Sequence, residues 1–448
     1  MRETPALSNA SVLSWSWNMR LKRLAMGLSL VATLAGVAGC GGGSDDKAQV
    51  RLLNASIGVS SLDLAVGEDE TVVTSGVTYA SVGDYEGVSA DDSLLEVQNS
   101  TSGATLTSTT PTLSTSDKYT LIAYGVSGSV KSALITETED TPDSGKTKLQ
   151  ILNLAPDAGA LDIYETATTD TDLSGSATLA SSVASGSGSG YLSIKPGSFR
   201  LVITAAGDTS DVRLEIPTIT LPDAGVSTLI LTGSNGGLLV NGMQLVQKGT
   251  LTNLPNPNAR VRVVSGLTSG SVAASLGGTP LVSSASSPTV GGYVKVTAGT
   301  SALSLTVNGN AVSASVGTLV AGNDYTIVVY GDAAAPTVQL ISDDNKLPTT
   351  STNAKIRLLN AMSSNSAEMT LYLNYSVKAS GVLQGYASTP TQLAAVTDAL
   401  LTVNSTNSST PLFSQTDTDI LAQGVYTVFL LGDGTSAATV AASLVKER

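Results

Sequence analysis

"QVRLLNAS" at residues 49–56 returns three times along the chain, as "KLQILNLA" (148–155), "RVRVVSGL" (260–267) and "KIRLLNAM" (355–362). Each copy reads polar, apolar, polar, apolar, apolar, then Asn or Ser. Side chains alternate between faces along a strand, so each copy predicts a half-buried strand running into a turn. Arg51, Gln150, Arg262 and Arg357 fall on the face expected to meet water, and Asn54, Asn153 and Asn360 are placed to make Asx turns. A second landmark follows in each copy: "KYTLIAYG" (118–125), "VSTLILTG" (226–233), "DYTIVVYG" (324–331) and "VYTVFLLG" (425–432). Such a continuous apolar run predicts a strand covered on both faces. Its closing glycines, Gly125, Gly233, Gly331 and Gly432, mark points where positive φ is expected.

Between the landmarks lie short strand patterns such as "SLDLAV" (61–66), "YLSIKPG" (191–197), "YVKVTAG" (293–299) and "LSLTVNG" (303–309). Turn residues recur about every 8–12 positions, the rhythm of a sandwich or barrel. A repeat of roughly 95–112 residues is too long for a solenoid and suits a separate sandwich. The fold class predicted is all-β: four tandem immunoglobulin-like antiparallel β-sandwich domains over 48–142, 147–254, 259–347 and 354–448. "TPDSGKT" (141–147), "LPNPNA" (254–259) and "KLPTTSTNA" (346–354) read as short, stiff linkers. Tyr119 and Tyr325 stand six residues after Leu113 and Leu319, the spacing of a tyrosine corner. Tyr426 follows Leu421 one residue sooner, and Ser227 replaces the tyrosine in the second copy.

The N-terminus carries a different signal. Arg20, Lys22 and Arg23 precede an apolar stretch, Leu24 to Val37, too short to span a bilayer and suited to a signal peptide. Val37-Ala38-Gly39-Cys40 resembles a bacterial lipobox, and Cys40 is the single cysteine of the chain. Residues 1–39 are therefore expected to be a lipoprotein leader, with Met19 a candidate start. Cys40 is the expected lipidation site, carrying a palmitate-type anchor, and 40–47 the flexible tether. Two acyl chains suffice for a stable membrane anchor. Gly41 in place of Asp after the cysteine favours delivery to the outer membrane, facing periplasm or cell surface.

The chain has 448 residues, no histidine and a formal charge of −13, which becomes −16 once the leader is removed. So acidic a chain repels nucleic acid, and none is expected as a partner. Without histidine there is no imidazole-based triad and no imidazole metal ligand. "GKT" at 145–147 lacks the P-loop glycine, because Asp140 stands in its place. Asp91/Asp92 and Asp343/Asp344 read as solvated turn carboxylates, and Tyr85, Tyr191 and Tyr293 as packing residues. Ca²⁺ is the one ion the residue types suggest. "DTDLSG" (170–175) begins like an EF-hand loop at Asp170 and Asp172, but Ser181 stands where the bidentate glutamate belongs. Glu137, Glu139, Asp140 and Asp143 near the first linker offer an inter-domain alternative, set against ordinary acidic turns. No cofactor beyond the covalent lipid is otherwise expected.

"LNLAPDAGALDIYE" (152–165) resembles the opening of the domain-of-unknown-function family DUF4397, and "AGNDYTIVVYG" (321–331) resembles its closing strand. The third copy departs from the pattern, with Ser265-Gly266 in place of Asn-Ala. The resemblance implies bacterial cell-envelope proteins, often lipoproteins, with no assigned activity and no catalytic residues to carry over. The combined expectation is a lipid-anchored, non-enzymatic envelope protein. It would act as a structural, adhesive or protein-interaction scaffold, with the membrane and an envelope or extracellular protein or polymer as partners. The alternative is a solute- or glycan-binding lipoprotein with its site between adjacent domains.

Overall fold

The computed structural model describes residues 47–91 and 93–448. The leader over 1–39, Cys40 with the tether to residue 46, and Asp92 lie outside the described residues. The chain builds four two-sheet units. In the first, Lys47–Ile57 sits between Ser81–Val82 and Glu86–Ser89 on one side and the parallel strand Lys118–Val126 on the other. Ser129–Thr136 completes that sheet as the hairpin partner of Lys118–Val126. The facing sheet runs Thr71–Thr78, Ser61–Val66, Leu95–Asn99, Thr105–Thr109, all antiparallel.

Units 2, 3 and 4 repeat the plan. Their opening strands, Thr147–Leu154, Asn258–Ser265 and Asn353–Asn360, lie parallel to Val226–Thr232, Asp324–Asp332 and Val425–Gly432. The two sequence landmarks of each repeat are thus neighbours in its one parallel pairing. The class is the predicted all-β antiparallel sandwich. Its strand order differs from the constant-type immunoglobulin arrangement, where the first strand shares a sheet with the second and fifth. Here, in unit 1, the first strand shares a sheet with the fourth, fifth, eighth and ninth, and the second lies in the facing sheet. Four separate apolar cores fill the sandwiches, around Leu64 and Leu121, Ile163 and Ile203, Val272 and Ile327, and Leu371 and Val428. Each such fully buried side chain stabilises by about 1.5–3 kcal/mol.

Local devices set the turns. Asn54, Asn153 and Asn360 are buried, and their Oδ1 atoms accept from the N–H two residues on, at 3.0, 3.1 and 3.2 Å. Their amides donate onward to Val77, Val183 and Val382 carbonyls, tying the opening strand to the opposite sheet. The tyrosine corner is present three times: the Tyr119, Tyr325 and Tyr426 hydroxyls accept from the N–H of Ser114, Val320 and Leu421, at 2.9, 3.0 and 2.9 Å. Gly125, Gly331 and Gly432 adopt positive φ, whereas Gly233 does not, because the chain there runs on through residues 234–240 before its next strand.

The units are not beads on free linkers. Val226–Thr232 is buried along its whole length, as a strand covered on both faces must be. The cover is the neighbouring unit. Leu53 and Ile122 of unit 1 pack against Ile230 and Met243 of unit 2, and Val264 and Val328 of unit 3 against Leu359 and Phe429 of unit 4. At the second joint the equivalent residues Gly266 and Ala361 meet. A Cβ on Gly266 would stand 1.6 Å from the Ala361 carbonyl oxygen. That contact accounts for the glycine where the third copy departs from the repeat. The second and third linkers are anchored by buried residues, Asn256 and Pro348, whereas most of the first, residues 141 and 143–146, is exposed. Among the described residues, no helix is long and apolar enough to cross a membrane.

Candidate functional site

Arg51, Arg262 and Arg357, expected to face water, are all buried, and Gln150 is half-buried. Alternation along the strand correctly places them opposite the sandwich core, but that opposite face is covered by the next unit. Each arginine is therefore held by partners in its own unit and across a joint. Arg51 donates to Thr120 Oγ1 (2.8 Å) and Glu137 Oε2 (3.1 Å), and across the joint to the Gly249 carbonyl of unit 2 (2.7 Å). Arg262 grips Glu447 of unit 4 with two bonds of 2.9 and 2.8 Å and donates to Thr326 Oγ1 at 2.9 Å. Reciprocally, Arg357 of unit 4 lies 2.7 Å from Asp343 of unit 3, close but off the hydrogen-bond line.

Tyr85 and Tyr293 complete these joints. Their rings lie under Arg51 and Arg262 at 4.5 and 4.4 Å from centroid, and their hydroxyls donate to Glu137 and Asp343 at 2.8 Å each. Burial, with the adjacent carboxylate second, pushes both phenols above their ordinary range. Burial opposes the charge on Arg262, but Tyr293, Glu447 and Asp343 outweigh it and hold the guanidinium protonated. Asp343 is therefore a buried structural side chain of the joint, not a solvated turn residue.

The Ca²⁺ candidates are dispersed among other partners. Asp170 Oδ2 accepts from Ala167 N–H and Asp172 Oδ1 from Ser174 N–H, both in an exposed loop. Glu139 pairs with Lys148, Asp143 is exposed beside Lys146, and Glu137 belongs to the Arg51 joint. Among the described residues, no three acidic or sulfur side chains converge as a metal site.

What the structure does bring together is a cavity of about 410 Å³ where units 1, 2 and 4 meet the linker before unit 4. Clefts of this size hold small molecules. Lys131 comes from the last strand of unit 1, Asp157 from the short helical turn Pro156–Ala158 of unit 2, and Asp344, Lys346 and Lys355 from the linker and unit 4. Asp344 accepts from Lys355 at 2.6 Å and Lys346 at 3.0 Å. Burial pushes its carboxyl up, but these two ammoniums outweigh it and hold the group below its ordinary value. Asp157 Oδ1 accepts from Leu347 N–H at 2.5 Å, and its main-chain carbonyl from Arg448. Burial raises the Asp157 carboxyl and lowers Arg448 to about 10.

Of these five residues the sequence singled out Asp344 alone, and as a solvated turn carboxylate, because they come from distant stretches with no shared spacing. One signal was present: unit 2 alone keeps the Pro-Asp-Ala stretch, and its aspartate is the one in the cavity.

Comparison with known proteins follows the same pairing of units. A family described as a domain of unknown function, DUF4397, matches residues 48–164 and 259–364. The chain carries two DUF4397 stretches. Each matched stretch runs through one whole sandwich into the opening of the next, so both DUF4397 matches span a joint between packed partners. No curated protein matches the sequence. Among solved structures, a candidate cell adhesion protein from Bacteroides uniformis is similar at 14% identity, covering 45% of this chain and 99% of its own, with a TM-score of 0.22. A second, from Parabacteroides distasonis, is similar at 9% identity, covering 68% and 98%, with a TM-score of 0.17.

Proposed function

We propose that this protein is a non-enzymatic scaffold of the bacterial cell envelope, tethered at the outer membrane through acylated Cys40, that presents adhesive or protein-interaction loops. The observation that carries this reading is the use made of its reactive side chains. The buried arginines, acids and tyrosines are spent on joints between units 1 and 2 and between units 3 and 4, which stiffen each pair. The leader pattern and the lone cysteine supply the tether. The test is metabolic labelling with radioactive palmitate: the wild-type chain takes up label and sediments with membranes, and Cys40→Ser loses both. Label retained in Cys40→Ser removes the tether from the proposal.

The cavity supports a second reading, a solute- or glycan-binding lipoprotein. A concave site with convergent polar groups is what such a function requires, and three units and a linker supply it here.

A further inference from the structure

Twelve lysines lie among the described residues of this acidic chain, and three of them, Lys131, Lys346 and Lys355, converge on the cavity. Lys355 is committed: its ammonium is buried and donates to Asp344 and to the Lys346 carbonyl at 3.0 Å. Lys346 shares Asp344 and donates to the Asn235 carbonyl at 2.8 Å, yet its side chain stays 26% exposed. Lys131 is exposed and has no carboxylate within 4.0 Å among the described residues. The lysines and Asp344 together leave positive charge, facing one carboxylate, Asp157. A concave, partly desolvated site of net positive charge draws counter-ions. In a protein of net charge −13 this local reversal stands against the general surface. Hydroxyl and amide side chains join the lysines on the wall, among them Ser127, Ser129, Thr349, Ser351, Gln392 and Gln423. Prolines 156, 348 and 390 give it rigid apolar faces.

We propose that this cavity binds a small acidic sugar, with the carboxylate held by Lys131 and Lys346 and the ring hydroxyls met by the Ser, Thr and Gln wall. The proposal rests on the solute-binding reading and names its ligand class. Hydroxyls alone would admit any sugar, and lysines alone any anion. Their combination in one cavity selects a polyol that carries a carboxylate. Asp157 sets the limit: a second anionic group on the far side of the ligand would meet it and be rejected.

The experiment is calorimetric titration of the full-length chain in detergent with galacturonate, galactose and acetate, with thermal unfolding alongside. Galacturonate is expected to bind at least about tenfold more tightly than galactose or acetate, the worth of a charge-assisted hydrogen bond. It also raises the melting temperature by mass action and weakens with added salt. Lys131→Gln, an exposed substitution that leaves the joints intact, is expected to lower galacturonate affinity about tenfold while the unliganded melting temperature holds. Equal binding of galactose and galacturonate overturns the acidic-sugar assignment and leaves an inter-unit sugar site standing. No binding of any probe at about 10 mM overturns both. Unchanged affinity in Lys131→Gln places the ligand elsewhere and overturns the proposal.

Discussion

Arg262→Met is the most discriminating perturbation of the unit 3–unit 4 joint. Arg262 is 2% exposed, and its partner Glu447 has a side chain 5% exposed. Methionine keeps an apolar body between Tyr293 and Phe429, whose ring centroids lie 4.4 and 5.0 Å from the guanidinium carbon. It supplies no charge, so Glu447 loses its two hydrogen bonds and stays desolvated. Stranding one member of a buried pair costs about 3–5 kcal/mol. Units 3 and 4 together are a body for which each kcal/mol moves the midpoint by about 2–4 °C, so the melting temperature should fall by about 6–20 °C. The assay is urea unfolding followed by tyrosine fluorescence and circular dichroism, with the slope m expected to stay constant. The decisive variant is the double Arg262→Met/Glu447→Leu. Replacing a whole buried pair by apolar groups is close to neutral, so the double variant should recover to within about 1 kcal/mol of wild type. The reasoning fails if the single variant costs less than about 1 kcal/mol, or if the double variant is as unstable as two independent losses added together.

Gly266→Ala should be as damaging as the loss of a large core side chain, about 2 kcal/mol or more, because its methyl would collide with the Ala361 carbonyl. An unfolding midpoint within error of wild type would show that the joint has slack. Asp157→Asn should change the pH dependence of stability. Burial raises the Asp157 carboxyl against the opposing pull of Arg448, Lys346 and Lys355. The folded state therefore holds a proton that the unfolded state releases above about pH 3.9, and wild-type stability falls as pH rises through that window. Asn keeps the acceptor for Leu347 N–H and carries no charge, so the variant should gain on wild type as pH rises above about 3.9. Urea midpoints at several pH values check this, and a wild type that gains on the variant would refute it.

The first strand's alternation was enough to locate every opening strand, and the Asn that ends it was enough to locate three Asx turns. The tyrosines five residues after a leucine or the following residue made the corners the pattern predicted, since each device is satisfied by atoms within one turn of chain. Even the double-sided burial of Val226–Thr232 was legible, because a strand with no polar face has no side to offer water. The arginines were not. Period 2 says that Arg51, Arg262 and Arg357 share the face away from the core; it cannot say whether water or another sandwich lies on that face. Nor could spacing reveal the cavity, whose lysines and aspartates come from stretches up to some two hundred residues apart. The sequence by itself determined the strands, their turns and the fourfold repeat, because those follow from contacts between near neighbours. The tertiary structure alone decided which charges are buried and where a ligand could sit, because both depend on how whole units pack against one another.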